Sequence, residues 1–123
     1  MRELRAALRQ ALEAQGLPVY ELDGVPAGCA RPHLTFRLRS AAPGCAVCDV
    51  RWHGEADAEG AAERLTELRG LFPERGALLR RGGLRCLVRP TAWACGRDRA
   101  DPRLRTAALR LEVTVLGKPA EAP

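Results

Sequence analysis

Five cysteines and two histidines are the side chains of this sequence best suited to bind a metal or attack an electrophile. Cys45-Ala-Val-Cys48 is the obvious pair, since two thiolates three residues apart on a tight knuckle can share one zinc ion. On a regular strand, however, an offset of three sends the two side chains to opposite faces. Cys86 and Cys95, nine apart, supply no second close pair. No helical pattern follows Cys48, as a thioredoxin-like redox site requires. His33 stands beside a strand start and His53 at a strand end. Neither has a Cys or carboxylate at nucleophile–base or metal spacing, so both are expected as surface or rim histidines. Gly82-Gly83 lacks the lysine and hydroxyl of a phosphate loop, and neither Gly-x-Gly-x-x-Gly nor Gly-x-Ser-x-Gly occurs. The expectation is a protein with no catalytic residues, no bound metal and no cofactor, whose cysteines are buried or stray.

Twenty basic residues against fifteen acidic ones give a net charge of +5, and Lys118 is the only lysine. A GC-rich genome produces such an arginine bias without selection for polyanion binding. Two groups of charges stand out. Arg37, Arg39 and Arg51 share one face of a strand pair with Asp49, and Arg97, Asp98, Arg99 and Asp101 cluster in the aperiodic stretch from Thr91 to Arg103. A sheet that binds nucleic acid by stacking interleaves aromatics with its basic residues, and the outward positions here hold none. Arginines beside acids fit polar contacts with another protein surface. Two alternatives are a basic nucleic-acid-binding accessory domain, whose affinity would fall steeply with salt, and a small enzyme or enzyme subunit with a pocket around Trp93 to Arg103.

The elements that position these residues follow from periodicity. Leu4, Leu8, Ala11, Leu12 and Gln15 recur at helical spacing over Arg2 to Gln15, with Arg5, Arg9 and Glu13 opposite. Gly16 and Pro18 stop that helix, and Pro18 to Glu21 reads as a short strand. Between Pro32 and His53 two alternating runs flank a turn at Ser40 to Gly44. Leu34, Phe36 and Leu38 face one way in the first run, and Ala46, Cys48, Val50 and Trp52 do so in the second. Pairing Leu38 with Ala46, Phe36 with Cys48 and Leu34 with Val50 joins the two apolar sets and sets Arg37 diagonal to Asp49. Gly54 is expected to break the second strand, and acidic Glu55, Asp57 and Glu59 to open a helix running to about Leu71.

Ala77 to Arg80 is at most a small edge strand. Leu84 to Arg89 alternates as a strand closed by Pro90. Thr91 to Arg103 is expected as an exposed, mobile loop, and Leu104 to Leu116 alternates as the last strand. Gly117 to Pro123 is read as a disordered tail, leaving residues 1–116 as one domain. The expected fold is α+β in two layers: a mostly antiparallel sheet of four or five strands with both helices packed on one face, in the order α-β-β-β-α-β-β. Its core should contain Leu4, Leu8, Leu12, Phe36, Leu38, Val50, Leu65, Leu68, Val88, Leu111 and Val113. No charged-then-apolar leader follows Met1, and no apolar run approaches the roughly 20 residues of a membrane span, so a cytoplasmic, reduced protein with no membrane partner is expected.

The first helix closes on Gly16-Leu17-Pro18-Val19-Tyr20. Pro32-His33-Leu34-Thr35-Phe36, Val50-Arg51-Trp52 and Arg110-Leu111-Glu112-Val113-Thr114-Val115 follow in that order. With this order of elements, the phrases resemble the tail terminator (tail completion) proteins of long-tailed bacteriophages and prophages. The resemblance spans nearly the whole chain. It implies a ring, typically of six subunits, that caps the tail tube and joins it to the head connector. The partners are then further copies of the chain, the tail-tube protein and the head–tail connector protein, with no small-molecule substrate and with DNA only passing through the ring. The protein would be cytoplasmic before assembly and part of the virion tail afterwards. The family has no catalytic residues. Arg37, Arg39, Asp49, Arg51, Arg97, Asp98, Arg99 and Asp101 are the residues expected to form its contacts. The arginine-rich Thr91 to Arg103 stretch, the five cysteines and the alanine-rich stripe of the second helix depart from the family pattern.

Overall fold

A computed structural model describes residues 2–117. Helix α1, Arg2–Glu13, buries Leu4, Leu8 and Leu12 of the expected stripe together with Ala7, while Ala11 is half-buried. Gly16, at φ 74°, turns the chain out of the helix. Strand β1, Val19–Glu21, follows and leads into a single 3₁₀ turn at Leu22–Gly24. Strands β2, His33–Ala42, and β3, Cys45–Glu55, form the central hairpin. Helix α2, Ala58–Leu71, is capped by Asp57, whose Oδ1 accepts from Gly60 N at 2.7 Å. Strands β4, Ala77–Arg81, β5, Leu84–Arg97, and β6, Leu104–Gly117, complete the chain. Gly82 and Gly83, at φ 53° and 90°, make the two-residue turn between β4 and β5, where both positions need positive φ.

The strands form one six-stranded sheet in the order β1-β2-β3-β6-β5-β4. Its apolar face carries Leu34, Phe36, Leu38, Cys48, Val50, Trp52, Leu109, Leu111 and Val113, which join Leu8 and Leu12 of α1 and Leu68 and Phe72 of α2 in one core cluster. Every expected core residue is buried except Leu65, which packs partly exposed against the cluster. The sheet curls so far that α1 reaches both of its edges. Arg9 donates to the Val19 carbonyl at 2.9 Å on one edge, and Arg81 donates to Gln10 at 2.9 Å on the other. Helix α2 lies over β5 and β6.

The α+β class holds, and several details of the expectation do not. There are six strands rather than four or five, because the small edge strand allowed for at Ala77 to Arg80 forms, as β4, between α2 and β5. β1 runs parallel to β2, pairing Val19 with Leu34, so the sheet is mixed; the eleven residues between them return the chain to the same end of the sheet. β2 extends to Ala42, and the turn is the pair Pro43-Gly44, with Gly44 at φ 74°. This tighter turn slides the register by two residues. Leu38 faces Cys48, Phe36 faces Val50, Leu34 faces Trp52, and Arg37 stands directly opposite Asp49. An even slip keeps every side chain on its expected face. Gly54 does not break β3. It sits inside the strand because the Trp52 ring lies over it, where an added Cβ would come 2.6 Å from two ring carbons.

The largest correction concerns Thr91 to Arg103. Thr91 to Arg97 is not a loop but the second half of β5, paired with β6 from Ala92↔Arg110 to Arg97↔Arg105 after a bulge at Pro90/Ala92. Only residues 98–103 form the connection. Six of the seven residues of the expected disordered tail, 118–123, lie outside the described residues, and Gly117 ends β6.

Candidate functional site

Alternation along the four long strands puts a polar row on the face of the sheet away from the helices. Arg37, Asp49, Arg110 and Ala92 are cross-strand neighbours on β2, β3, β6 and β5. Asp49 accepts from Arg110 Nε at 2.8 Å and from Arg39 Nη2 at 3.3 Å. Arg37, though directly opposite Asp49, makes no ion pair with it, and Arg51 in the next row stands beside Thr35 and Ala108. Arg37, Arg39 and Arg51 are all exposed, so one carboxylate sits among four guanidinium groups on an open face. Arg37, Arg39, Asp49 and Arg51 are therefore brought together as expected.

The second expected group lies at the far end of the sheet, in and beside the β5–β6 turn. Its acids are engaged within that turn. Asp98 Oδ1 accepts from the backbone of Ala100 at 2.8 Å and of Asp101 at 3.2 Å. Asp101 accepts from Arg103 N, Nε and Nη2 at 3.0, 3.1 and 2.9 Å. The Arg103 guanidinium holds the Asp101 carboxyl down at a pKa of about 2. Arg97 and Arg99 are exposed.

Between these groups, Ala92, Ala94 and Ala108 floor a groove of about 350 Å³, walled by Leu22 of the 3₁₀ turn and rimmed by Arg37, Arg51 and Arg110. Leu22 is 45% exposed. Reading Thr91 onward as a loop hides this floor, because alanines contribute to a surface only once they are placed on a strand.

His33 is buried rather than at the rim, and His53 is half-buried. They face each other across the β2–β3 pair and stack at 4.9 Å between ring centroids, and His33 is 5% exposed. Leu22, Val25, Cys29 and Arg31, from the segment before β2, line a pocket together with both histidines. Thr35 Oγ1 lies 2.8 Å from His53 Nε2. Burial, with His33, Arg51 and Arg31 close by, pushes the His53 pKa down to about 4, so the ring is neutral near pH 7. His33 Nδ1 is 3.2 Å from the Ala30 carbonyl, which assigns it the proton as donor.

Cys29, four residues before His33, brings its Sγ to 3.7 Å from Nδ1 and 3.9 Å from Nε2. Near-equal distances to both nitrogens mean that the sulfur is not aligned on one nitrogen lone pair, as a base activating a thiol requires. The sequence signal for this cluster is the Cys29/His33 spacing together with the pairing of the two histidines across the hairpin.

Cys45 and Cys48 fall on opposite faces of β3, Cys48 fully buried and Cys45 half-buried. Burial pushes the Cys48 thiol up to about 12 and raises that of Cys86, so neither forms a thiolate near neutral pH. Among the described residues no three His, Cys, Asp or Glu side chains are grouped so as to hold a metal ion. No described helix is long and apolar enough to cross a membrane.

No family model matches the chain, and no curated protein matches it. Solved structures do. One, which carries no functional description, is 24% identical over 97% of this chain and 97% of its own, with a TM-score of 0.68. Another is a chain in the virion of a native gene transfer agent particle, 20% identical over 94% of this chain and 96% of its own, with a TM-score of 0.65. At these identities the likeness establishes the fold: over 94% of its length this chain has the α+β architecture of a chain in that virion.

Proposed function

We propose that the chain is a structural protein of a phage-type particle and acts there as a tail terminator. Several copies, six in the family it resembles, form a ring that caps the finished tail tube and joins it to the head connector. One observation carries this reading: the likeness of fold to the chain of the gene transfer agent virion extends over 94% of this chain. It coincides with the order of sequence phrases from Gly16 to Val115 that resemble tail terminators.

The surface chemistry supports the same reading. The outer face mixes exposed arginines with one shared carboxylate and an alanine-floored groove, a pattern suited to a protein neighbour. Arg37, Arg39, Asp49 and Arg51 on that face, and Arg97 and Arg99 beside the β5–β6 turn, form contacts to the next subunit or to the tube. Asp98 and Asp101 shape the turn that presents the latter two. The protein works by assembly and not by catalysis, and DNA meets it only in passing through the ring. It waits in the cytoplasm and ends in the virion.

The test is co-sedimentation of the purified full chain with polymerised tail-tube protein from the same genome. Sub-stoichiometric binding that saturates at a few copies per tube end supports the proposal. Binding along the whole tube, or none, contradicts it.

A further inference from the structure

The sheet has two long edges, and α1 covers only part of each. On one side β1 pairs with Leu34, Thr35 and Phe36 of β2 and then stops, so Arg37–Ala42 has no strand on its outer side among the described residues. On the other side β4 pairs with Leu84 to Val88 of β5 and stops, so the rest of β5 is likewise open. The open part of β5 includes Thr91-Ala92-Trp93-Ala94-Cys95-Gly96, six residues with no charge and no proline, almost all exposed. An exposed, uncharged edge of that length is a template for another strand, and proteins that must avoid pairing place lysine, proline or a covering helix there. Here the chain covers its edges where α1 reaches and leaves Arg37–Ala42 of β2 and Arg89–Arg97 of β5 open.

We propose that the Thr91–Gly96 edge of β5 is completed by the Arg37–Ala42 edge of β2 from a second copy of this chain, so that the sheet continues from one subunit into the next. The proposal rests on the terminator reading and identifies the contact that builds its ring.

Two features select a second copy as the occupant. The open edges match in sense, because β2, β3, β6 and β5 alternate in direction, so that β5 of one subunit meets β2 of the next antiparallel. They also match in offset. Trp93 stands in one row with Leu109, Val50 and Phe36, whereas the centre of the open stretch of β2 lies about four residues further along that strand. Spread over the four strands from β2 to β5, that stagger is about one residue per strand, the shear at which strands tilted by about 36° close on themselves. A contact between unlike edges is heterologous, so it builds a ring where the rotation from copy to copy closes and does not stop at a symmetric dimer.

The pairing sets Ala92 against Ala41 of the neighbouring copy, at the ~4.5–5.5 Å Cα spacing of antiparallel partners, which a disulfide can span. The test uses the full chain carrying Cys95→Ser, with Ala92→Cys in one preparation and Ala41→Cys in another. Ser40→Cys and Ala42→Cys cover one register step on either side. Equimolar mixtures are oxidised at high concentration, with and without tail-tube protein. The expected result is a mixed covalent dimer from Ala92→Cys with one of the β2 variants, and none from any variant alone. Absence of the mixed crosslink in both conditions overturns the edge pairing. If rings are imaged in that same sample, the terminator reading stands while the edge pairing falls, so the two fail separately. Crosslinking of Ala92→Cys with itself indicates symmetric β5–β5 pairing and also overturns the proposal.

Discussion

The Arg69 guanidinium lies 3.7 Å from the centroid of the Trp93 ring, stacking a side chain of α2 on the half of β5 that extends beyond β4. Trp93 is 42% exposed, so this contact is the one aromatic anchor for a stretch otherwise built of alanine, threonine, cysteine and glycine. A cation over a partly exposed tryptophan is worth ~0.5–1 kcal/mol. A double-mutant cycle of Arg69→Ala and Trp93→Ala, read by urea unfolding, should return a coupling of that size. The cycle is needed because Arg69 also pairs with Glu74 at 3.6 Å, a loss the single mutant would include.

Gly54→Ala should destabilise the protein by ~1–3 kcal/mol, although strand backbone accepts alanine readily. The added methyl would meet the Trp52 ring at 2.6 Å and force it out of a packed core. Thermal or urea denaturation checks this, and Gly70→Ala, where a Cβ meets nothing within 4 Å, is the control expected to cost nothing.

His53 makes stability depend on pH. Its folded pKa of about 4 lies below the 6.5 of a free imidazole, with burial the first cause and His33, Arg51 and Arg31 adding to it against Asp98. Above pH 6.5 both folded and unfolded chains hold the ring neutral, and the contribution is fully present. Between pH 6.5 and about 4 the unfolded chain takes up a proton that the folded chain refuses, so stability is lost as pH falls. The loss is ~1–2 kcal/mol once partial exposure of the ring is allowed for. Urea midpoints measured from pH 4 to 8 should show it, and His53→Gln should flatten the profile.

Phe36 is 1% exposed and shares a row with Val50, Leu109 and Trp93 at the centre of the sheet. Phe36→Ala should cost ~3–5 kcal/mol in urea unfolding, the loss of a buried ring plus the cavity it leaves.

The central hairpin, both helices and the last strand are legible in the sequence because each has a single apolar face. The alternation of Leu34, Phe36 and Leu38 survives even a two-residue error in register, since an even slip preserves the face. What is not legible arises from contacts between distant segments. Thr91 to Gly96 lacks alternation because Ala92, Ala94 and Cys95 give neither face a character. The signal that it is a strand lies in β6: a run from Leu104 to Leu116 exceeds what a partner ending at Arg89 could cover. Gly54 reads as a breaker because nothing local reveals that Trp52 folds across it. The Cys29, His33 and His53 cluster depends on hairpin register and on a loop folding over the sheet, so the Cys29/His33 spacing does not reveal it by itself. Among the expected contact residues, Arg37, Arg39, Asp49 and Arg51 come together because they alternate on paired strands. Asp98 and Asp101 turn inward on their own loop because short acidic side chains cap nearby backbone N–H groups.

The measurement that bears most directly on the terminator role is negative-stain imaging of tail tubes polymerised with and without this protein. The protein should leave a ring of density at one end of each tube and arrest elongation, and Ala94→Lys on the open edge of β5 should weaken both effects. Tubes that elongate freely and carry no terminal ring at saturating protein would contradict the assignment.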